Sequence, residues 1–285
     1  MSVAAVVVHW NSRARLPACL QALGHDPRLQ VVVVDNASPD GGEREIRDAF
    51  PSVRWHAMGR NAGFGAAVNA GARQAASDWI LALNPDAVVP GGDVLRLSEW
   101  AALAGVAAVG PLLFGPDGAV ERSWDLRDSA LGDLGRFFAW RLRLPLAAPR
   151  GPIEVAWLSG ACLLVRRDAF ERAGGFDERF FLYFEDADLC RRLRRAGGRV
   201  MLHPGFRAEH QRGGSAGGDL SRMRLHYRRS QLRFFRLHRP AWARVPVRAA
   251  AWLQAAWWSA PWSPPELRQA ARELLRPPRA PEDHP

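Results

Sequence analysis

Two runs of valine with one helical segment between them limit the folds that this chain can adopt. Residues 3–8 and 31–34 are short β-branched runs typical of buried strands. Residues 11–23 carry leucine and cysteine at helical spacing, with Asn11 or Ser12 as the expected N-cap. A strand, a helix and a strand within about 35 residues form a right-handed βαβ unit of a parallel sheet.

The same alternation continues to about residue 110, with the predicted elements reading helix 43–50, strand 53–56, helix 65–76, strand 79–83, helix 92–104 and strand 106–109. The sequence therefore predicts an α/β fold with a doubly wound, mostly parallel sheet flanked by helices. Ligands of such sheets bind at the carboxyl ends of the strands.

The second part of the chain is less regular. We expect a hairpin over 112–121 and an irregular segment over 123–150, which is either a mobile flap or an acceptor-facing loop. The remaining predicted elements are a strand over 153–165 with Gly160 in its middle, a short helix capped by Asp168, a strand over 199–203 followed by a loop that holds His210, and a long helix over 219–238.

Residues 180–197 place three carboxylates, Glu185, Asp186 and Asp188, directly after an aromatic run at the start of a helix. Negatively charged side chains in the first turn of a helix are stabilised by the helix dipole, which is one explanation of the pattern. The other is chemical. An acid beside aromatic side chains is desolvated, and the resulting rise in its pKa is the usual preparation of a general base.

Polar residues also follow the predicted strands. Asp35 follows four valines, where a carboxylate can accept the imide N–H of uracil or thymine, bind ribose hydroxyls, or cap a helix. Arg60 to Gly65 is a glycine-rich turn that opens a helix, so its backbone N–H groups can approach a phosphate or a ring closely. The sequence lacks GxGxxG and GxxxxGK[ST], which disfavours a dinucleotide cofactor and a P-loop NTPase.

A metal site is predicted at a third strand end. Asp86 follows a rigid proline and supplies one hard oxygen ligand, which suits Mg²⁺ when a diphosphate and waters supply the others. His210 offers a nitrogen ligand, which would shift the preference towards Mn²⁺. A lone histidine is more often structural, so this role stays open here.

The net charge of +10 and the pI of about 11.1 come from arginine alone, because the chain has no lysine. Basicity of this kind does not by itself indicate nucleic acid. The three cysteines are widely spaced without CxxC, which disfavours a disulfide framework or a zinc site and favours a reducing cytoplasm. The N-terminus runs directly into a strand, so we predict no signal peptide.

The chain changes character after Pro240. Its longest apolar window, 249–262, is too short to span a bilayer. Tryptophans beside arginines in this segment suit the headgroup zone of a membrane, and the alternative is a C-terminal helix packed with its tryptophans inward. The residues concerned are Trp252, Trp257, Trp258, Trp262, Arg244, Arg248 and Arg268. Residues 277–285 are predicted to be disordered.

Six segments in order resemble the successive motifs of the family 2 glycosyltransferases, inverting enzymes of the GT-A fold. The resemblance is strongest to bacterial rhamnosyltransferase-like members and covers about residues 3–238. The segments are VVVHWNS, VVVVDNASPD, GRNAGFGAAVNAG, LNPD, SGACLLVRRDAFERAGGFDERFFLYFEDADLCRRLRRAG and HPGFRAEH.

The resemblance implies a role for each matching residue. Asp186 is implied as the catalytic base, with Glu185 and Asp188 as its acidic neighbours, and Asp86 and His210 as metal ligands. Asn84 replaces the first acid of the family's DxD element, so only a hydrogen bond is implied there. The implied nucleotide and donor-sugar residues are His9, Asn11, Asp35, Asn36, Arg60, Asn61, Gly63, Gly65, Asn69, Asn84 and Gly160.

The resemblance also implies an activity. The enzyme would move a sugar, with rhamnose favoured, from dTDP-rhamnose or a UDP-sugar to a hydroxyl of a polyprenyl-linked or cell-envelope glycan, using Mg²⁺ or Mn²⁺. It would be cytoplasmic and peripheral on the inner face of the plasma membrane, without a nucleic-acid partner. The implied regions are a nucleotide-sugar-binding half (1–110), an acceptor and catalytic half of the same GT-A domain (111–238), and a helical C-terminal extension (239–285).

Two other functions remain open on the sequence. A nucleotidyltransferase would need a glycine-rich basic loop soon after the first strand, and HWNSRARL offers none. The second is a basic module that binds a membrane surface or nucleic acid, such as a catalytically degenerate transferase. The aromatic and arginine residues of RFFRLH and of the tail favour it, whereas Asp35, Asp86 and Asp186 argue against it.

Overall fold

The computed structural model describes residues 1–126, 128–129, 147–211 and 220–275. The strands are β1 (Val3–His9), β2 (Leu29–Asp35), β3 (Arg54–Ala57), β4 (Trp79–Leu83), β5 (Ala87–Val88), β6 (Ala108–Phe114), β7 (Trp124–Asp125), β8 (Ile153–Glu154), β9 (Trp157–Leu158), β10 (Cys162–Arg166) and β11 (Val200–His210). The helices are α1 (Leu16–Leu23), α2 (Glu43–Ala49), α3 (Phe64–Ala72), α4 (Gly91–Leu103), α5 (Arg167–Arg172), α6 (Glu185–Arg195), α7 (Leu220–His238), α8 (Ala241–Trp258) and α9 (Pro265–Leu275).

The central sheet has the order β3-β2-β1-β4-β10-β6-β11-β5, with β8 paired to β11. Strands β1 to β4 are parallel to one another, so Val7 lies between Val33 and Leu83 in register. Strand β10 enters antiparallel between β4 and β6, and β6 and β11 are parallel. The predicted mostly parallel α/β sheet is confirmed, and residues 1–110 and 111–238 both contribute strands to it.

Both faces of the sheet are covered, which explains the unbroken valine runs. Val3, Ala5 and Val7 belong to the buried cluster that includes α1 and α4. Ala4 and Val6 belong to the opposite cluster, which includes α3 and α6. The carboxyl ends of the parallel strands are therefore left as the open edge of this three-layered arrangement, and the candidate site lies there.

Several predicted boundaries were wrong for local reasons. Helix α1 begins at Leu16 without a side-chain cap, because Asn11 has a left-handed φ of 50° and its N–H donates to Ser38 Oγ at 2.6 Å. The predicted strand 153–165 is three strands, β8, β9 and β10, in which Ser159 to Ala161 break the ladder. Asp168 lies inside the first turn of α5 and makes no capping bond.

His210 is the last residue of strand β11 and not part of a loop, which corrects the sequence prediction. A register shift between His203 and Arg207 lets β11 continue beside β6, and its last two residues pair with β5. Because β5 directly follows Asp86, this pairing brings His210 to the predicted metal residue. Of the predicted irregular segment 123–150, residues 127 and 130–146 lie outside the described residues, as do residues 277–285.

The C-terminal helices pack on one another and on the segment that leads into α6. Trp258 is buried against Leu225 of α7 and Ala270 of α9. Trp252, Trp257 and Trp262 are exposed, so the interpretation that places all of these tryptophans inward is wrong. Among the described residues, no helix combines the length and the apolar character needed to cross a bilayer.

Candidate active site

The ends of β1 and β2 bring His9 and Asp35 side by side. His9 is buried, with Nδ1 2.6 Å from Ser12 Oγ, and burial lowers the pKa of the imidazole even though Asp40 and Asp35 oppose this effect. Asp35 is half-buried, and its Oδ1 accepts the Ser38 N–H at 2.8 Å. An imidazole whose pKa is lowered therefore lies beside a half-buried carboxylate, and the carboxylate can accept an N–H group of a ligand.

Asn36 holds the glycine-rich turn. Its Nδ2 donates to Asn61 Oδ1 at 2.9 Å and to the Gly63 carbonyl at 3.3 Å, and its Oδ1 accepts the Ala62 N–H at 2.9 Å. Because Asn36 is buried and these bonds occupy its amide, its structural contribution is to shape the turn. Arg60, at the start of the turn, is exposed.

Gly63 joins this turn to the aromatic run that precedes the acids. Its φ is +91°, and a Cβ atom there would lie 2.2 Å from the Phe181 carbonyl oxygen, which accepts the Phe64 N–H at 3.1 Å. Gly65 packs on Phe176. The two motifs, more than 100 residues apart in the sequence, are thus in backbone contact.

Asn69 differs in its surroundings from the other residues that the sequence predicts to bind the nucleotide and the donor sugar. Its amide is buried and braces the segment before the acids, donating to the Phe176 carbonyl and to Glu178 Oε1 and accepting the Phe176 N–H, each at 2.9 Å. These bonds use both kinds of group on the amide. We therefore do not include Asn69 in the site proposed below.

Asp86 and His210 meet at the end of β4. His210 Nε2 lies 3.4 Å from Asp86 Oδ1 and 3.3 Å from Asn84 Nδ2. Asp86 is buried, and its Oδ1 makes no hydrogen bond within the described residues. An orphaned buried carboxylate oxygen facing an imidazole nitrogen is a donor pair that fits a divalent cation.

Glu121 completes this group, and the sequence analysis missed it. Its Oε2 lies 2.9 Å from His210 Nδ1, and the side chain is buried. Burial disfavours the charged imidazole, but the nearby Asp86 carboxylate and the hydrogen-bonded Glu121 carboxylate outweigh burial and raise the pKa of His210 to about 9. A carboxylate on Nδ1 fixes the orientation of the ring, and Nε2 on the other side would bind a metal only after it has lost its proton.

Among the described residues, no set of three or more histidine, cysteine, aspartate or glutamate side chains forms a metal cage. Asp86 and His210 alone would leave most coordination positions to other ligands. That arrangement is the usual one for Mg²⁺, which keeps waters and substrate phosphates around one or two protein ligands.

The three acids after the aromatic run have different environments. Glu185 and Asp188 are buried, whereas Asp186 is half-buried. Asp188 Oδ2 accepts a hydrogen bond from Arg192 Nε at 2.7 Å and lies 2.6 Å from Arg192 Nη2, and its Oδ1 contacts His238 Nε2 at 2.7 Å. Asp188 is therefore a structural anchor between α6 and α7, and the structure does not favour a catalytic role for it.

Asp186 is held towards the open edge by two backbone donors. Its Oδ2 accepts the Gly160 N–H at 2.9 Å, and its Oδ1 accepts the Ala187 N–H at 2.7 Å. Burial raises the pKa of the Asp186 carboxyl, although these hydrogen bonds oppose the rise. Each oxygen keeps a second lone pair, so an acceptor hydroxyl can still donate to it.

Gly160 links Asp186 to the strand end that bears Asp86. A Cβ atom there would lie 3.0 Å from Phe64 Cε1 and 3.6 Å from Asp186 Cβ, so glycine permits the close approach. The next residue, Ala161, accepts the Asn84 N–H at 3.0 Å. A continuous run of contacts therefore connects Asp186 with the strand end that bears Asp86.

The aromatic run presents the acids through an uncommon backbone. Tyr183 and Phe184 both have left-handed φ values, 68° and 67°, and Phe184 is the N-cap of α6. Consecutive left-handed residues with bulky side chains are strained and persist only where the surroundings hold them. Tyr227 and Phe234 of α7 pack on these rings and hold them in place.

Glu185 supports a prediction about stability. Burial, and then the charge of Asp186, raise the pKa of Glu185 well above its ordinary value, and its Oε2 is buried without a partner among the described residues. The folded state thus binds this proton more tightly than the unfolded state. The stabilisation is complete below the unfolded pKa and is lost as the pH rises through the folded pKa.

Glu185→Gln should therefore raise the free energy of unfolding by about 1–2 kcal/mol at pH 8 and by little at pH 4. Denaturant unfolding of both proteins at the two pH values measures this difference. Glu171→Gln, at an exposed position on α5, is the matched control and should show no such pH-dependent gain. An equal effect of Glu185→Gln at both pH values would contradict the assignment.

Comparison with known proteins identifies the family. Residues 4–174 match the family described as Glycosyl transferase family 2. An N-acetylglucosaminyl-diphospho-decaprenol L-rhamnosyltransferase of Mycobacterium tuberculosis is 33% identical over 255 residues, which cover 80% of this chain and 81% of the relative. The rhamnosyltransferase WbbL of Escherichia coli K12 is 32% identical over 142 residues, which cover 48% of this chain and 54% of the relative.

Solved structures agree on the fold. GalNAc-T7, solved with UDP, GalNAc and Mn²⁺, superposes with a TM-score of 0.62 at 16% identity, covering 96% of this chain and 54% of GalNAc-T7. A mannosyltransferase from Pyrobaculum calidifontis, in complex with GDP-Man and Mn²⁺, gives 0.58 at 19% identity, covering 95% and 79%. The chain belongs to glycosyl transferase family 2 and is a glycosyltransferase of the GT-A fold.

Proposed function

We propose that this enzyme inverts the anomeric centre of a sugar, with rhamnose favoured, as it transfers that sugar from dTDP-rhamnose or a UDP-sugar. The acceptor is a hydroxyl of a polyprenyl-linked or cell-envelope glycan, and the enzyme works at the cytoplasmic face of the plasma membrane. The relatives that are named as rhamnosyltransferases support the choice of sugar, and the one named for a diphospho-decaprenol substrate supports a lipid-linked acceptor.

The environment of Asp186 is the single observation that carries the mechanism. It is the half-buried acid of the three, it is fixed by two backbone N–H groups, and burial raises its pKa towards that of an effective base. Asp186 takes the proton of the acceptor hydroxyl while that oxygen attacks the anomeric carbon. The nucleoside diphosphate leaves from the opposite face, so one displacement inverts the centre.

We place the donor sugar nucleotide along the open edge, at the carboxyl ends of the parallel strands. Asp35 accepts the imide N–H of the base, with His9 and Asn11 beside it, and Arg60 faces the diphosphate. The turn held by Asn36 and Asn61 supplies backbone N–H groups near Gly63 and Gly65. Asn84 and Gly160 border the sugar next to Asp186.

Asp86 Oδ1 and His210 Nε2 would hold the divalent cation, Mg²⁺ or Mn²⁺, whose chemistry there is to neutralise the charge that grows on the leaving diphosphate. The orphaned Oδ1 of Asp86 and the carboxylate behind His210 are the observations that support this role. Asn84 lies beside this pair, with its Nδ2 3.3 Å from His210 Nε2, and adds no negative charge.

A thermal-shift panel tests the donor. The purified protein is heated with dTDP-rhamnose, UDP-glucose, UDP-galactose, UDP-N-acetylglucosamine or GDP-mannose, with and without Mg²⁺ or Mn²⁺. A bound donor raises the melting temperature according to its affinity and concentration. We expect a metal-dependent rise with one donor. No rise with any donor or free nucleoside diphosphate would favour the catalytically degenerate binding protein.

Glu121 gives a prediction for the metal. Glu121→Gln removes the charge behind His210 Nδ1, so Mn²⁺ affinity in the presence of the nucleoside diphosphate should fall about 10- to 100-fold. Titration calorimetry and Mn²⁺ electron paramagnetic resonance both measure this affinity directly. Glu154→Gln, an exposed glutamate paired with Arg199, is the control and should leave it unchanged. Equal Mn²⁺ affinities in the wild type and both variants would show that Glu121 does not support the metal site.

A further inference from the structure

Helix α8 exposes an apolar face. Trp242, Val245, Trp252, Leu253 and Trp257 have exposed fractions between 61% and 73%, and their spacing places them on one side of the helix. Trp262, 75% exposed in the following turn, lies edge-on to Trp257 with ring centroids 6.4 Å apart. We call these six residues the tryptophan face.

The opposite side of α8 is packed. Ala243, Ala251, Ala255 and Trp258 are buried there against α7 and α9. Thus most of the largest apolar side chains of this helix point outward, and small alanines fill much of the inward side. A helix that only covered a core would show the reverse distribution, so the tryptophan face indicates an interaction surface.

The surrounding charge is positive. Residues 220–275 contain eleven arginines and two glutamates, with no lysine or aspartate. Arg248 is exposed at the border of the tryptophan face, and Glu273, one of the two acids, is paired with Arg229. A partner for this region must therefore be apolar at the centre of the contact and negatively charged around it.

We propose that the tryptophan face of α8 inserts into the headgroup and upper acyl region of an anionic phospholipid bilayer, with the helix lying in the plane of the membrane. Tryptophan prefers this boundary, and arginine at the rim is attracted by anionic lipid headgroups. A second copy of the chain fits less well, because its own arginines would repel those around the face.

The packing connects this surface to the catalytic segment. Ala243 and Val247 of α8 lie in one apolar cluster with Phe180, Phe184 and Ala187, which flank Glu185 and Asp186. A docked α8 would therefore fix the catalytic segment relative to the bilayer. The link to a lipid-linked acceptor rests on the proposed function, whereas bilayer binding itself does not.

Vesicle flotation of the full chain tests the inference. The wild-type protein should float with vesicles of phosphatidylglycerol and phosphatidylcholine and bind pure phosphatidylcholine more weakly. The triple variant Trp252→Ser, Leu253→Ser, Trp257→Ser should lose at least about tenfold in partition coefficient, because it removes most of the inserted apolar area. Arg248→Glu should weaken binding to the anionic vesicles alone, by about fivefold or more.

Matched controls are available at exposed positions far from α8 in the sequence. Leu103→Ser on α4 and Arg44→Glu on α2 should bind vesicles like the wild type. Far-UV circular dichroism and melting temperatures check that each variant folds. Asp186→Asn should also float normally, so failure of membrane docking and failure of the transferase assignment give different results.

Three results would overturn the inference. The first is absence of the wild-type protein from anionic vesicles. The second is equal flotation of the folded triple variant. The third is a stable dimer in sedimentation velocity that the triple variant dissociates, because the face would then be covered by a second copy.

Discussion

Asp186→Asn is expected to lower the turnover number about a thousandfold, which is the usual contribution of a general base. Asparagine keeps the shape of the side chain and can still accept one of the two backbone N–H groups, from Gly160 or Ala187. It cannot take a proton from the acceptor hydroxyl. Nucleotide binding should be retained, because the proposed donor contacts lie on other residues.

The comparison needs two measurements on the same preparations. Steady-state transfer from the donor identified in the panel gives the turnover number, and titration calorimetry with the nucleoside diphosphate gives the affinity. The melting temperature should stay close to that of the wild type, because removal of a partly buried charge offsets the loss of one hydrogen bond. A variant with more than a tenth of wild-type turnover would exclude Asp186 as the base.

The direction in which kcat/KM changes with pH can also be predicted. A base works in its deprotonated form, so kcat/KM should fall as the pH is lowered through the pKa of Asp186. Because burial raises that pKa, the acidic limb should lie above the ordinary aspartate range near about 4. An acidic limb at or below that range would contradict a raised pKa for the base.

Asp188→Ala is expected to destabilise the fold by about 3–5 kcal/mol. The substitution leaves the Arg192 guanidinium without its buried counter-charge, although its bonds to the Ala173 and Gly175 carbonyls remain. It also removes the carboxylate that contacts His238. Helix α7 would thus lose an anchor to α6, and the catalytic segment that α7 supports would loosen.

Denaturant unfolding measures this loss. Asp168→Ala is the matched control, because Asp168 also pairs with two arginines, Arg166 and Arg172, but at an exposed site. Exposed pairs of that kind contribute about 0–1 kcal/mol. Similar losses of unfolding free energy in the two variants would show that the buried pairing of Asp188 stabilises the fold no more than an exposed one. The contrast with Asp186→Asn tests whether the proposed base and a structural acid two residues away differ as we expect.

The sequence and the structure agree best on the fold. The βαβ pattern depends on local spacing, so the valine runs and the helix between β1 and β2 could be predicted from one short stretch. They agree less well over 153–165, where three short strands replace one. That break depends on distant contacts, including the hydrogen bond from Gly160 to Asp186.

The sequence predicted the motifs of the candidate site. It did not predict which residues of these motifs face the site and which only support it. Glu121 lies 89 residues from His210, and neither periodicity nor a motif connects them. Asn69 looked like a ligand-binding residue but braces Phe176, because its partners come from a segment more than 100 residues away. Contacts over such separations follow from the packing of whole elements, which the sequence alone does not display.

The sequence by itself determined which side chains stand at the strand ends, because the β-branched runs and the residues after them are adjacent in the chain. Tertiary structure alone decided which acid of the run stays accessible and which tryptophans face outward. Glu185, Asp186 and Asp188 have similar chemistry, and only burial and the approach of Gly160, Arg192 and His238 distinguish them. Burial and hydrogen bonding depend on groups that meet after folding, and those groups set both the pKa values and the exposed surface.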